Sequence, residues 1–388
     1  MKSPLEFFKT FYPDNLFHML AEQTNIYFFQ SKAPQQLGTN GKEIEMLVGT
    51  LFKMGVIQMP NVRDYYANET FYEPVASVMS RNRFQLLCRY LHFENNCDPN
   101  VDKSDKSWKL KPFLQILREN FLKVEPEEHQ AVDEISIPYK GQKGPRQYNP
   151  KKPHKWHFTV FARAGSSGFV YDFFLYTGSS KSPSSSNGIG ITGSHVIRLC
   201  ETLPSGVPFK VFADNFFVSL ALARRMKEMG FNFTGTFRTN RIPVAFDSDK
   251  KMKNDDRGAT DSRVNFEGDI IVVKWFDTRP VHLISTYAGV EETTAIRRYD
   301  RKRREYINVQ CPEIVTEYNK FMGGIDLMDS LTALYKYSLR SNRWTMFIWH
   351  HMTHIALVNA WLLHRRQASK YELAVSDKHL HYTSTCST

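Results

Sequence analysis

Up to about residue 129 the apolar positions recur every third or fourth residue, and from residue 130 they recur every second one. In residues 80–93, Phe84, Leu87, Cys88 and Leu91 fall at i, i+3, i+4 and i+7 behind Ser80, which predicts one amphipathic helix with Ser80 as its N-cap and Asn82 and Arg89 off the apolar stripe. Residues 95–106 are polar and predict a loop. Past residue 130, residues 131–138 read as a short strand, 155–164 alternate Trp156, Phe158, Val160 and Ala162, and 168–178 alternate Phe169, Tyr171, Phe173 and Leu175. These predict a three-strand meander, with Trp156 packed inside. The Gly-, Pro- and Lys-rich stretch 141–153 is a connection. The Ser/Gly stretch 179–194 lacks the spacing and the Gly-Lys-Ser/Thr ending of a Walker phosphate loop and reads as a flexible connector.

A helix over 195–202, a strand over 209–213, a helix over 218–229 stopped by Gly230, and a strand over 231–238 come next. Residues 241–311 interrupt the pattern with mixed charge and two apolar strands, 270–276 and 281–286, which predicts an inserted subdomain. The helical period resumes at Glu317. This order is that of a mixed α/β, ribonuclease H-like fold, in which the first and fourth strands lie side by side. Asp133 on the first strand and Asp214 at the end of the fourth then become neighbours. Asp326 and Asp329, three residues apart after Gly323 and Gly324, share one helix face near its positive end.

Four aspartates converging in this way suit phosphoryl transfer assisted by Mg²⁺ or Mn²⁺. Such hard ions prefer oxygen ligands, and two of them about 4 Å apart can stabilise the attacking and leaving oxygens together. Asp133 is the expected bridging ligand, and no covalent intermediate with the protein is required. A simpler reading exists for each acid: Asp214 before Asn215 as a loop or cap residue, Asp326 as a helix cap. Asp133 resists it more, because an ionisable group between Val132 and Ile135 in a strand is costly to bury without a partner.

Charge sharpens the substrate class. The formal net charge of +11 and a pI near 9.2 favour polyanionic partners. Between Glu134 and Glu201 the only acid is Asp172, while Lys140, Lys143, Arg146, Lys151, Lys152, Lys155 and Arg163 crowd the same stretch, giving an acidic centre inside a basic surface. The run Arg297-Arg298-Tyr299-Asp300-Arg301-Lys302-Arg303-Arg304 reads as a nuclear-import signal or a phosphate-contacting strip. With 388 residues, 41% hydrophobic and 14% aromatic, the chain is long and apolar enough for two or three domains. Its 5 cysteines form no C-x-x-C pair, which fits a reducing compartment and predicts no cysteine-based zinc site. Pro4 and Glu6 break any signal-peptide core. Residues 346–363 could span a membrane by length, but His350, His351, His354 and Asn359 make a buried helix the better reading. His350 and His354, at i and i+4, have the spacing of a metal pair but lack the intervening Glu of a metalloprotease helix, so satisfied core histidines are expected.

Several segments together resemble the piggyBac family of transposases and the host genes derived from them. They are Val-Asp-Glu at 132–134, Tyr-Asn-Pro-Lys-Lys-Pro-His-Lys-Trp at 148–156, Ala-Asp-Asn-Phe-Phe at 213–217, Gly-Thr-Phe-Arg-Thr-Asn at 235–240, Tyr-Asn-Lys-Phe-Met-Gly-Gly-Ile-Asp-Leu-Met-Asp at 318–329 and Arg-Ser-Asn-Arg-Trp at 340–344. The resemblance implies a catalytic triad of Asp133, Asp214 and Asp326, with Asp329 as a further acid and two divalent ions per site. It also implies that Arg238 and Arg241 lie near the transferred strand and that Arg343 and Trp344 lie beside the active site. Lys151, Lys152, Lys155 and Arg340 complete the expected DNA contacts. Such enzymes cut transposon ends, form hairpins on them and join them at TTAA targets in double-stranded DNA, working as dimers, and a nuclear location follows.

The implied layout is a helical DNA-binding and dimerisation region from 1–129 and 336–388, a catalytic core from 130–240, an insertion at 241–311, and a last core helix with the third acid within 312–335. Active members commonly add a cysteine-rich, zinc-binding domain after the catalytic region and a long acidic N-terminal tail. Neither is found between Met1 and Thr388, so no zinc is expected in this chain. The sequence therefore leaves two readings: a metal-dependent transposase, or a domesticated, transposase-derived DNA-binding or chromatin protein without a reaction. A general ribonuclease H-like nuclease is a third.

Overall fold

The first helix shows how sequence fixes structure in the N-terminal region. Ser3 and Glu6 form a capping box and Pro4 opens the helix, so α1 (Pro4–Phe11) starts sharply and buries Phe7, Phe8 and Phe11 on one side. Five more helices follow: α2 (Asp14–Lys32), α3 (Gly41–Val56, capped by Asn40), α4 (Glu73–Ala76), α5 (Arg81–Tyr90) and α6 (Lys111–Leu122). Ser80 caps α5 by accepting the Arg83 N–H, as its sequence predicts, and Phe84, Leu87 and Leu91 are buried. The structure, a computed structural model, describes residues 2–32, 36–178, 188–255, 257–301 and 303–370. Part of the predicted connector 179–194, residue Lys302 of the basic run, Cys386 and the end of the region 336–388 lie outside the described residues.

The period-two segments become β1 (His129–Pro138), β2 (Gln147–Tyr148), β3 (Trp156–Gly165) and β4 (Val170–Leu175). They are followed by α7 (Gly190–Cys200), β5 (Lys210–Ala213), α8 (Leu220–Glu228) and β6 (Asn232–Thr236). Next come α9 (Asp249–Asn254), β7 (Thr260–Val264), β8 (Ile271–Phe276), β9 (Pro280–Ser285), β10 (Thr293–Asp300) and β11 (Glu305–Pro312). Three helices close the described chain: α10 (Glu313–Phe321), α11 (Gly324–Leu334) and α12 (Trp344–Lys370).

The main sheet runs β2-β3-β1-β5-β6-β9-β8-β7, and β4 shares the outer edge of β3 with β2. β1 pairs antiparallel with β3 and parallel with β5, and β5 pairs parallel with β6, which is the ribonuclease H-like order. Residues 241–311 supply β7, β8 and β9, which continue the same sheet through antiparallel β6–β9 pairing, and the separate β10–β11 hairpin.

Both faces of the central strands are covered, so β3 is buried along its length after Trp156. Ile135, Ile137, Phe158 and Val160 pack with α1–α6 and α12 in one apolar core. Val132, Phe161, Val211 and Ala213 face the other way, against α7 and α8. Two sequence expectations change here. Trp156, at the exposed start of β3, is 40% accessible and lies under the Arg146 guanidinium at 3.8 Å, because only the two-residue β2, with Tyr148 itself exposed opposite Trp156, covers the sheet edge there. Arg163, counted with the basic surface, is buried: it donates to Gln130 Oε1 at 2.5 Å and to the Leu199 carbonyl at 2.9 Å. Asp172, also buried, accepts from Arg118 and from Thr202 Oγ1, so the charged groups inside this layer are all partnered.

The last helix ties the ends of the chain together. α12 packs along α1, Trp349 Nε1 donates to Tyr12 Oη at 3.0 Å, and Arg366 reaches Glu127 at 2.7 Å. Among the described residues no helix is long and apolar enough to cross a membrane. His350 and His354 sit inside α12 with ring centroids 4.4 Å apart, His354 Nδ1 bonding the His350 carbonyl. Asn359, fully buried, donates to the Val170 carbonyl at 2.8 Å and accepts its N–H at 3.0 Å, standing in for a missing strand at the edge of β4. Asn359→Ala leaves both backbone groups without partners and should cost about 2–4 kcal/mol, measured by urea unfolding of the two proteins side by side.

Candidate active site

Register alone brings the first two acids together. In the parallel β1–β5 pair Val132 stands opposite Ala213, so Asp133 and Asp214 are the next residues of adjacent strands. Side-chain parity decides the face. Val132 and Ala213 point into the core beneath α7 and α8, which leaves Asp133 and Asp214 to the opposite face, where α10 and α11 lie.

α11 brings the second pair of acids to that face. It opens at Gly324, and a Cβ there would stand 2.4 Å from the Gly165 carbonyl at the end of β3, so only glycine lets the helix approach this closely. The close approach puts Asp326 in the first turn, where unsatisfied N–H groups favour a carboxylate. Asp329 follows one turn on, half-buried, while Asp326 is exposed.

The carboxylates feel one another. Burial pushes Asp133 up to about 7, and the charges of Asp214, Glu134 and Asp326 push in the same direction, against a hydrogen bond from the Glu134 N–H at 2.7 Å. Asp214 is raised as well, chiefly by burial, with Arg238 and Arg241 opposing and its Oδ1 accepting the Phe216 N–H. Asp329 rises to about 6 through burial, with Lys336 holding it down and Asp326 lifting it. A crowd of acids with too little countercharge is the electrostatic condition under which a cation binds.

The donor set, hard carboxylate oxygens on a rigid strand, a strand end and a helix, fits a divalent ion of the Mg²⁺ type. Among the described residues no three Asp, Glu, His or Cys side chains are gathered tightly enough to hold a metal.

The expected DNA-contacting residues divide. Lys151 and Lys155 are exposed beside the site's strand, whereas Lys152 is held between Glu134 at 2.6 Å and Ser136 Oγ at 2.5 Å. Arg238 is exposed and donates to Asn215 Oδ1 at 3.0 Å; Arg241 donates to the Phe216 carbonyl at 2.6 Å and so braces the loop that carries Asp214. Arg340 is exposed and reaches Asn61 and the Pro60 carbonyl only at 3.4–3.5 Å. Arg343 is largely spent on structure: it donates to the Arg89 carbonyl at 2.7 Å and to the Leu91 carbonyl, closing the end of α5. Arg340 and Arg343 line a cleft of about 700 Å³ with Phe84, Arg89 and Tyr337. Trp344 packs on Phe158 and over Gly144, under the strand connection.

Two neighbours of the acids were not singled out from the sequence. Tyr318 on α10, within the field of Asp133, Asp214 and Asp326, is pushed up to about 12, mainly by burial, and its hydroxyl lies 3.3 Å from Thr236 Oγ1. Lys336, lowered to about 8 by burial, faces Asp329 and contacts His351 Nδ1 at 2.5 Å. Tyr318 belongs to the motif at 318–329 and was legible there as a motif member; no local pattern marks Lys336.

Because the folded Asp133 binds its proton more tightly than the unfolded chain does, the acid destabilises the metal-free protein as pH rises from the ordinary carboxylate range through about 7. The melting temperature of metal-free protein should fall over that window, where the raised Asp214 and Asp329 act in the same direction, and Asp133→Asn should make the fall shallower without abolishing it. Gly324→Ala drives a Cβ into the Gly165 carbonyl and should destabilise by about 1–3 kcal/mol in chemical denaturation, even though alanine is the better helix former.

Comparison with known proteins places this arrangement. The family described as Transposase IS4 matches residues 3–361. Human PiggyBac transposable element-derived protein 3 is 30% identical over 377 residues, covering 95% of this chain and 62% of that protein. Human PiggyBac transposable element-derived protein 2 is 29% identical over 372 residues, covering 94% and 62%. The chain spans about three fifths of the length of these two relatives. The fold matches piggyBac transposase, solved as a synaptic complex with hairpin DNA, at a TM-score of 0.82 and 22% identity over 100% of this chain and 80% of that one. With a family match across nearly all of the sequence and a shared overall fold beneath it, this chain belongs to the piggyBac-type transposase family.

Proposed function

We propose that the chain cuts and joins DNA strands, with Asp133, Asp214 and Asp326 as the catalytic carboxylates and Asp329 as a fourth acid of the same site. The observation that carries this reading is the placing of Asp133 within β1 beside Asp214 just past the end of the parallel β5, beneath the first turn of α11, with burial raising the proton affinity of both and the charge of Asp214 adding to that of Asp133. Asp133, Asp214 and Asp326 would hold Mg²⁺ or Mn²⁺, two ions in the full site. When bound, such ions polarise the phosphate and lower the charge on the attacking and leaving oxygens.

The protein's own part is to position and exclude. β1 and β5 fix the two acids at a spacing set by sheet pairing, and Gly324 lets Asp326 approach. Arg241 holds the loop behind Asp214 and leaves the exposed Arg238 to meet a phosphate beside it. Lys151 and Lys155 offer unpartnered positive charge along the same edge for the duplex backbone. The solved structural neighbour is named as a complex with hairpin DNA, which supports DNA ends as the substrate class here. The same reading extends to TTAA targets, to a homodimer on two ends and to action in the nucleus.

A second reading, DNA binding without chemistry, is favoured by the names of the human relatives, which describe them as transposable element-derived.

One pair of measurements separates the two. Strand cleavage on DNA carrying transposon ends flanked by TTAA should require Mg²⁺ or Mn²⁺ and fall by about 10²-fold or more in Asp133→Asn, Asp214→Asn and Asp326→Asn. Independently, Mg²⁺ or Mn²⁺ should raise the melting temperature of the unaltered protein at pH 8 and leave that of Asp133→Asn unmoved. Cutting no faster than the variants, with no thermal shift, would leave only the binding reading.

A further inference from the structure

The β10–β11 hairpin has two unlike faces. Its register pairs Ile296 with Val309 and Thr294 with Cys311 on one face, and Val309 and Cys311 are buried against Trp275 and Ile314 in a small apolar core. Arg298, on that same face, is tied to Asp277 at 3.2 Å. The hairpin is therefore anchored from one side. Its other face presents Arg297, Tyr299, Tyr306 and Asn308, all exposed, with Tyr299 opposite Tyr306 in the ladder.

Those two rings are 50% and 60% accessible, stand 5.3 Å apart at 66°, and carry the Arg297 guanidinium 4.1 Å from the Tyr306 ring. Among the described residues, both rings stay exposed despite the Arg297 guanidinium beside Tyr306. Beyond the rings, Arg301, Arg303 and Arg304 occupy the tip, and Arg304 takes a left-handed conformation at φ 57° to close the turn. Over residues 297–306 six basic residues stand against Asp300 and Glu305.

An anchored hairpin that spends its outer face on two unburied tyrosines and an arginine, and its tip on more arginines, is poorly explained by folding. Large exposed aromatics cost solubility and return nothing until something covers them. The charge selects a polyanion. The aromatics go further: duplex DNA hides its base faces in the stack and would need only the arginines, whereas unpaired bases offer faces to a tyrosine and phosphates to an arginine at the same time.

We infer that the outer face of β10–β11 is a stacking platform for unpaired nucleotides of DNA, with Tyr299 and Tyr306 receiving bases and Arg297, Arg301, Arg303 and Arg304 receiving the adjoining phosphates. That the polymer is DNA rests on the transposase reading above; the stacking rests on the hairpin. A strand-cutting protein exposes unpaired nucleotides whenever an end is opened, and a platform outside the acidic site would hold them away from it.

The test uses the full chain and labelled single-stranded oligothymidylate, with duplex DNA of the same length, read by fluorescence anisotropy. Tyr299→Ala combined with Tyr306→Ala should weaken single-strand binding roughly tenfold or more and duplex binding little, at an unchanged melting temperature. Tyr299→Phe with Tyr306→Phe, which keeps the rings, should bind as the unaltered protein does. Replacing Arg301, Arg303 and Arg304 by Ala should flatten the salt dependence of binding.

Unaltered single-strand affinity in the double Ala variant, an equal loss on duplex, or tighter binding to oligouridylate than to oligothymidylate would overturn the inference. A protein that binds this way yet never cuts would defeat the catalytic reading and leave the platform standing.

Discussion

Parallel pairing of β1 with β5 sets two like charges side by side, Asp133 within β1 and Asp214 just past the end of β5, and the rest of the molecule accommodates that cost. Unpaired carboxylates in such a place are unfavourable because burial and mutual repulsion act in the same direction, as the raised proton affinity of Asp133 shows. The arrangement persists because the strands are held on every other side. Their side chains are packed into apolar cores on both faces of the sheet, so the local electrostatic penalty is small against the burial that fixes the register.

The helical layer does more than cover one face. α12 is joined to α1 by Trp349 and Tyr12, to β4 by Asn359 and to the start of β1 by Arg366 and Glu127, so chain segments from opposite ends grip the strand that carries Asp133. Buried polar groups at these joints pair with specific partners, which fixes orientation in a way apolar contact alone does not. Lys336, just past the end of α11, and His351 on α12 form another such joint, close to Asp329. The acid on α11 is thereby linked to the helical layer as well as to the sheet.

Arginine serves two purposes in this fold, and sequence position does not distinguish them. Arg163 and Arg343 stand in basic stretches, yet both are consumed inside the structure, one bonding Gln130 and Leu199 and the other closing α5. Arg238 and Arg340 keep exposed guanidinium groups. The difference lies in which carbonyl oxygens happen to be within reach, a property of the packed chain.

Most of the strands and helices were legible from periodicity, because period two and period 3.6 are local and the termini carry caps such as Ser80 and stops such as Gly230. The strand–helix order also pointed to a sheet with its first and fourth strands adjacent, and the pairing of Val132 with Ala213 is that adjacency. The sequence alone did not say that the strands within 241–311 would continue the main sheet, since an apolar run does not name its hydrogen-bonding neighbour. Nor did it place Trp156 outside or Arg163 inside: alternation tells which residues share a face, and only the layers that close over a sheet decide which of its faces and edges water reaches.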